Sequence, residues 1–221
     1  AARLVYDKDT LGTMTFDWAP DSRRLVVATD RRRDALWAEA DDELLIIDAR
    51  TGKSRPIPNL PAGCKNSPRW SPDGSAIAYA GHTGVDGLYT TDNVGIWACT
   101  PEGGSARCLT RTTDYCAVGI AITDTAESVF QPVMEWAPDS RSILLQIAWH
   151  GGGHIARVPR KGVTAGDDIL LTSDQSLDFF GNTSADGSLL AFTRSTYDSP
   201  GEVCLGSRGR DGRLHVEQVT D

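Results

Sequence analysis

The sequence predicts an all-β chain built as a β-propeller, and three observations carry that expectation. A turn motif recurs as Trp18-Ala19-Pro20-Asp21-Ser22, Trp70-Ser71-Pro72-Asp73-Gly74 and Trp136-Ala137-Pro138-Asp139-Ser140, with a worn copy at Thr183-Ser184-Ala185-Asp186-Gly187. An apolar strand pattern follows each copy, at Leu25 to Ala28, Ile77 to Ala80, Ile143 to Ile147 and Leu189 to Phe192. The intervening segments break into short, often alternating runs bounded by Gly, Pro, Asp and Asn, as strands should be. No stretch reads as a convincing helix, Asp34 to Leu45 being a loop or a short turn with some helical composition. Four-stranded units repeating at this length are propeller blades.

Each motif has a structural task. Proline presets φ at the second place of a turn, Asp can accept from the backbone beyond it, and Gly or Ser closes the bend. The Trp in front of the turn offers a flat surface to pack between sheets. Trp18, Asp21, Trp70, Asp73, Trp136, Asp139 and Asp186 are therefore structural repeat residues.

The first blade is expected as strands Thr15 to Trp18, Leu25 to Ala28, Glu43 to Asp48 and Arg55 to Ile57. The second has Pro68 to Trp70, Ile77 to Ala80, Val94 to Thr100 and Ala106 to Thr110. The third has Val133 to Trp136, Ile143 to Ala148, His154 to Pro159 and Asp168 to Thr172. The fourth has Phe179 to Thr183, Leu189 to Arg194, Glu202 to Ser207 and Leu214 to Thr220. The blades span roughly residues 13–60, 66–112, 131–173 and 178–221. Residues 1–12, with Arg3 to Tyr6, read as the outer strand of a blade not in this chain. The expectation is an arc of a larger propeller of about seven blades; a closed four-bladed ring is the rival.

Bulk chemistry narrows the functional classes. The chain has 221 residues, 40% of them hydrophobic, enough for a sizeable core. A formal charge of −8 with interspersed acids and bases argues against nucleic acid as partner. No apolar run approaches the ~20 residues of a membrane span. Nothing in the pattern calls for a cofactor.

Five cysteines are present. If Gly103-Gly104 were a two-residue hairpin turn, Cys99 and Cys108 would face each other at a non-hydrogen-bonded pair, where strands come closest. A disulfide would place the chain in a secreted or periplasmic setting, and two reduced neighbours would suit the cytoplasm.

The long connections are Asp30 to Asp42, Gly81 to Asn93 and Arg111 to Gln131, which share one face of a propeller. Function concentrates on variable loops held by a rigid scaffold. There the run Arg31, Arg32, Arg33 with Glu39, Asp41, Asp42 and Glu43 is either a solvated excursion or, more sharply, a peptide-end clamp or a seam to a further domain. Arginine can pair a carboxylate bidentately, and a carboxylate can hold an α-amine. His150-Gly151-Gly152-Gly153 mimics an esterase oxyanion-hole motif, but it joins two strands of a blade and reads as a glycine hairpin. His150 and His154 lack a third ligand in sequence, so no metal site is assigned.

The WSPDG-type turns, the strand Ile77-Ala78-Tyr79-Ala80 and the blade ending Arg107-Cys108-Leu109-Thr110 resemble the repeats of TolB-type propellers. Ser184-Ala185-Asp186-Gly187-Ser188-Leu189-Leu190-Ala191-Phe192-Thr193 and the terminal Gln218-Val219-Thr220-Asp221 resemble, more narrowly, the N-terminal propeller of the prolyl oligopeptidase family of serine peptidases, on the acylaminoacyl-peptidase and dipeptidyl-peptidase side. In that family the propeller caps an α/β-hydrolase domain carrying the catalytic triad and restricts entry to short peptides. The resemblance implies a substrate-gating propeller partnered by a hydrolase domain of the same protein, with homo-oligomerisation open. This chain has no G-x-S-x-G elbow, so no catalytic residue is assigned to it. The alternative is a non-catalytic TolB-like module that binds a protein or peptide.

Overall fold

The computed structural model describes residues 14–32, 41–84, 93–104, 106–118, 132–172, 175–209 and 214–220. Among them every regular element is a strand. They fall into two compact units, Ala1–Leu109 and Thr110–Asp221.

In the first unit, β1 (Thr15–Trp18), β2 (Arg24–Thr29), β3 (Glu43–Asp48) and β4 (Ser54–Pro56) form one antiparallel sheet in chain order. A second sheet follows in the same pattern, from β5 (Lys65–Trp70), β6 (Ile77–Gly81), β7 (Gly95–Cys99) and β8 (Arg107–Cys108). Their facing sides share one core, in which Val26, Ala28, Leu44 and Ile46 meet Trp70, Ile77, Tyr79 and Cys99. The other side of the first sheet gathers Val27, Leu45 and Ile47 into a smaller cluster.

The second unit holds β9 (Met134–Trp136), β10 (Ser142–Trp149) and β11 (Gly152–Pro159), then β12 (Leu177–Thr183), β13 (Leu189–Ser195), β14 (Glu202–Arg208) and β15 (Leu214–Gln218). One parallel pairing, Gly153 with Leu177, joins the two sets into a seven-stranded sheet. Leu144 and Ile155 pack there against Phe180, Leu190, Phe192 and Cys204.

The four turns share one geometry. Ser22, Gly74, Ser140 and Gly187 each donate an N–H to the residue three places earlier, at 2.8–2.9 Å, and each has positive φ. Asp21, Asp73, Asp139 and Asp186 each accept the N–H two residues on, at 2.8–3.1 Å. In the two Ser-x-Asp-Gly-Ser copies, hydroxyls on both sides also donate to the carboxylate; Ser184 and Ser188 hold the Asp186 carboxyl down to about 2.

Three expectations need correction. Trp70 and Trp136 are 5% and 4% exposed, but Trp18 is 51% exposed. Trp70 is covered by the sheet before it, with the Arg24 guanidinium 5.0 Å from its ring centre. Trp18 stands on the first described sheet, which has no described sheet before it.

The Cys99–Cys108 pairing is the second. The two sulfurs form no disulfide, and Cys108 lies opposite Trp97 rather than Cys99. Gly103-Gly104 is not a two-residue turn. The reversal starts with Gly103 N–H on Thr100 O at 3.0 Å, and Pro101 and Glu102 join the loop. Gly103 is fixed there because a Cβ would lie 2.4 Å from the Pro58 carbonyl oxygen.

The third is the outer strand at Asp168 to Thr172, reduced to a single bridge between Leu170 and Ala156. The Asp168 carboxylate takes the Leu170 N–H at 3.2 Å, a local bond that competes with strand pairing. Arg3 to Tyr6 lies outside the described residues.

Candidate functional site

The charged run of the first unit lies where β3 and β5 begin. Arg31 Nε donates to Glu43 Oε2 at 2.7 Å, with both side chains roughly two-fifths exposed. Arg32 forks onto Asp30 through Nε and Nη2, the shortest contact being 2.6 Å. Asp41 accepts the Gly63 N–H at 2.9 Å, and Asp42 accepts the Lys65 N–H at 3.0 Å. Lys65 is buried, and its Nζ donates to the carbonyls of Asp42 and Gly63, both at 2.8 Å. Arg33 and Glu39 lie outside the described residues.

Burial dominates the electrostatics of this cluster. It raises the Asp42 carboxyl above its ordinary value and lowers the Lys65 ammonium. It pushes the neighbouring Cys64 thiol up to about 12. Each described acid and base is already bonded within the chain. Asp41, Asp42 and Lys65 tie the first sheet to the second, whereas Arg31 and Glu43 face solvent as a pair.

The His150 hairpin closes as a two-residue turn with φ of 49° at His150 and 79° at Gly151, the left-handed pair such a turn requires. The His150 ring stacks on Trp149 with centroids 4.0 Å apart, and the buried His154 ring meets Trp149 at 6.3 Å. Tyr115 adds an edge contact at 5.5 Å. The two imidazoles thus sit in an aromatic cluster; among the described residues no three His, Cys, Asp or Glu side chains converge as metal ligands.

A recess of about 1010 Å³ opens in the second unit, lined by Arg141, Arg157, Lys161, Arg194 and Arg208 among others. Sequence reasoning missed it. Its cations come from separate strands and turns, with no local spacing to reveal them.

Comparison with solved structures defines the class of fold. The chain aligns over 93% of its length with TolB from Acinetobacter baumannii, at 17% identity and a TM-score of 0.61. It aligns over 94% with puromycin hydrolase, at 15% identity and 0.63, and over 94% with Pyrococcus horikoshii acylaminoacyl peptidase, at 14% identity and 0.59. It spans only 43%, 29% and 27% of those respective chains. No protein-family model and no curated protein matches the sequence. At these identities the likeness shows the fold, a β-propeller, with four blades in this chain and structural neighbours both among TolB proteins and among peptidases of the prolyl oligopeptidase family.

Proposed function

We propose that this chain is the substrate-gating propeller portion of a serine exo- or oligopeptidase, of the acylaminoacyl- or dipeptidyl-peptidase type. An α/β-hydrolase domain of the same protein is its partner and short peptides are its substrates. The observation that carries this reading is the match over 94% of the chain to two hydrolases of which it spans less than a third. In this reading the propeller contributes no reacting group and acts by selecting what reaches the nucleophile on the other domain. Arg31 and Glu43 are the part of the charged run able to exchange their mutual bond for the two ends of a peptide.

The match to TolB over 93% of the chain supports a second reading, a non-catalytic module binding a protein or peptide. One experiment separates them. The protein is isolated from its native source, its intact mass and termini are determined, and it is treated with a fluorophosphonate. The peptidase reading expects a mass well above 23.8 kDa and one labelled serine outside these residues. A longer protein that takes no label overturns it in favour of the binding module.

A further inference from the structure

The recess of the second unit runs between β11 with the Leu170 edge on one side and β13 to β15 on the other. Three carboxylates, Asp139, Asp167 and Asp168, share its wall with the five cations. Each carboxylate closes its own turn, accepting an N–H from Arg141 at 2.9 Å, Thr164 at 2.9 Å and Leu170 at 3.2 Å respectively. Arg194 is held by two bonds to Asp178, at 2.7 and 3.0 Å.

Arg157 differs. Its Nε is buried and donates to nothing, and burial, with the like charge of Arg208 beside it, lowers its pKa against the smaller opposing charge of Asp139. A guanidinium N–H withdrawn from water without an acceptor is costly, and a second guanidinium nearby adds repulsion. An oxyanion between the two guanidinium groups offsets their repulsion, because the planar forks of arginine match a carboxylate. The net charge of the chain is −8, so a cation-rich wall is not a by-product of composition. Beside the cations lie Leu170, Leu171, Leu214 and Val216, a hydrocarbon surface next to the charge.

We propose that this recess binds a small aliphatic carboxylate, its oxyanion between Arg157 and Arg208 and its hydrocarbon body against Leu214 and Val216. The site goes beyond the gating function and is independent of whether a hydrolase domain accompanies the chain.

The test is a calorimetric titration of the full chain with N-acetyl-leucine, in parallel with N-acetyl-leucinamide and inorganic phosphate. Saturable binding of N-acetyl-leucine is expected, with amide and phosphate each weaker by roughly tenfold or more. Arg208→Gln, at an exposed strand end, is expected to weaken it by roughly tenfold without disturbing the fold, and Arg157→Gln by at least as much. Lys53→Gln, an exposed cation of the first unit, leaves it unchanged. Absence of saturable binding, amide binding as tight as acid, phosphate binding as tight as acid, or indifference to Arg208→Gln in the folded protein would each overturn the proposal.

Discussion

Asp17 Oδ2 accepts the N–H of Trp70 at 2.8 Å, across 53 positions of sequence. Glu135 repeats the relation in the second unit, taking the Thr183 N–H at 3.3 Å and the Thr183 hydroxyl at 2.6 Å. Each carboxylate stands one residue before its own turn Trp, and each reaches the Trp position of the next repeat. β5 is an edge strand, and β12 pairs β11 only at Leu177, far from Thr183, so in both places the carboxylate of the preceding repeat supplies the missing acceptor.

Asp17 makes this bond at an electrostatic cost. Burial raises its carboxyl above the ordinary 3.8, against the hydrogen bond from Trp70 and the charge of Arg69. A raised folded value means stability that is fully present below 3.8 and is lost as pH rises through the folded value. Asp17→Asn keeps an acceptor and removes the charge, so the protein is expected to be as stable or more stable at neutral pH, with a flatter profile just above 3.8. Asp17→Ala strands the Trp70 N–H and costs about 1–3 kcal/mol. Urea unfolding of both variants across the acidic range checks this, and a steep acid-side profile retained in Asp17→Asn would refute it.

The turns predict a graded series. Gly187 has φ 70°, and a Cβ there would lie 3.0 Å from Pro138 Cδ, whereas a Cβ on Gly74, φ 71°, would make an ordinary 3.4 Å contact with Pro20. Gly187→Ala is expected to cost about 1–2 kcal/mol and Gly74→Ala less. Ser22 holds the same conformation at φ 55° with a Cβ, so Ser22→Gly is expected to stabilise by up to about 1 kcal/mol. Thermal unfolding of the three variants gives the order.

Asp178 is fully buried and paired with Arg194, whose side chain is 20% exposed. Arg194→Met leaves an unpaired buried carboxylate and is expected to cost about 3–5 kcal/mol. The double variant Asp178→Asn with Arg194→Met is expected to recover most of that loss. Chemical denaturation of the single and double variants measures the coupling, and additive losses would show that the pair is not the source.

The thiols make a chemical prediction. Burial pushes Cys64 and Cys99 up to about 12, so almost none of either is thiolate at mildly alkaline pH. Iodoacetamide is expected to spare both in the folded protein and to label all five cysteines once it is unfolded. Peptide mass mapping reads the outcome, and a carried-through Cys99–Cys108 disulfide would appear as a missing pair of labels.

The repeats were legible because their chemistry is local. Pro20, Asp21 and Ser22 build their turn from bonds spanning a few residues, and the strand after it needs only its own alternation. Long-range partners left no such trace. The role of Asp17 depends on an N–H far along the chain, and the exposure of Trp18 on a neighbour its own motif does not encode. The Cys99 register slipped because a hairpin loop is also shaped by what presses on it, here the Pro58 carbonyl against Gly103. The charged run was found by density alone, and only the geometry separates the tied Asp41, Asp42 and Lys65 from the open Arg31–Glu43 pair.

The uneven burial of the turn tryptophans gives the molecule an optical handle. Trp18 is half exposed to water while Trp70 and Trp136 are enclosed. A difference spectrum between the native protein and Trp18→Phe is expected to isolate a red-shifted emission that acrylamide quenches freely. Anything that comes to rest on the outer face of the first sheet would shift that emission to the blue and shield it, so fluorescence alone can report when the face is covered.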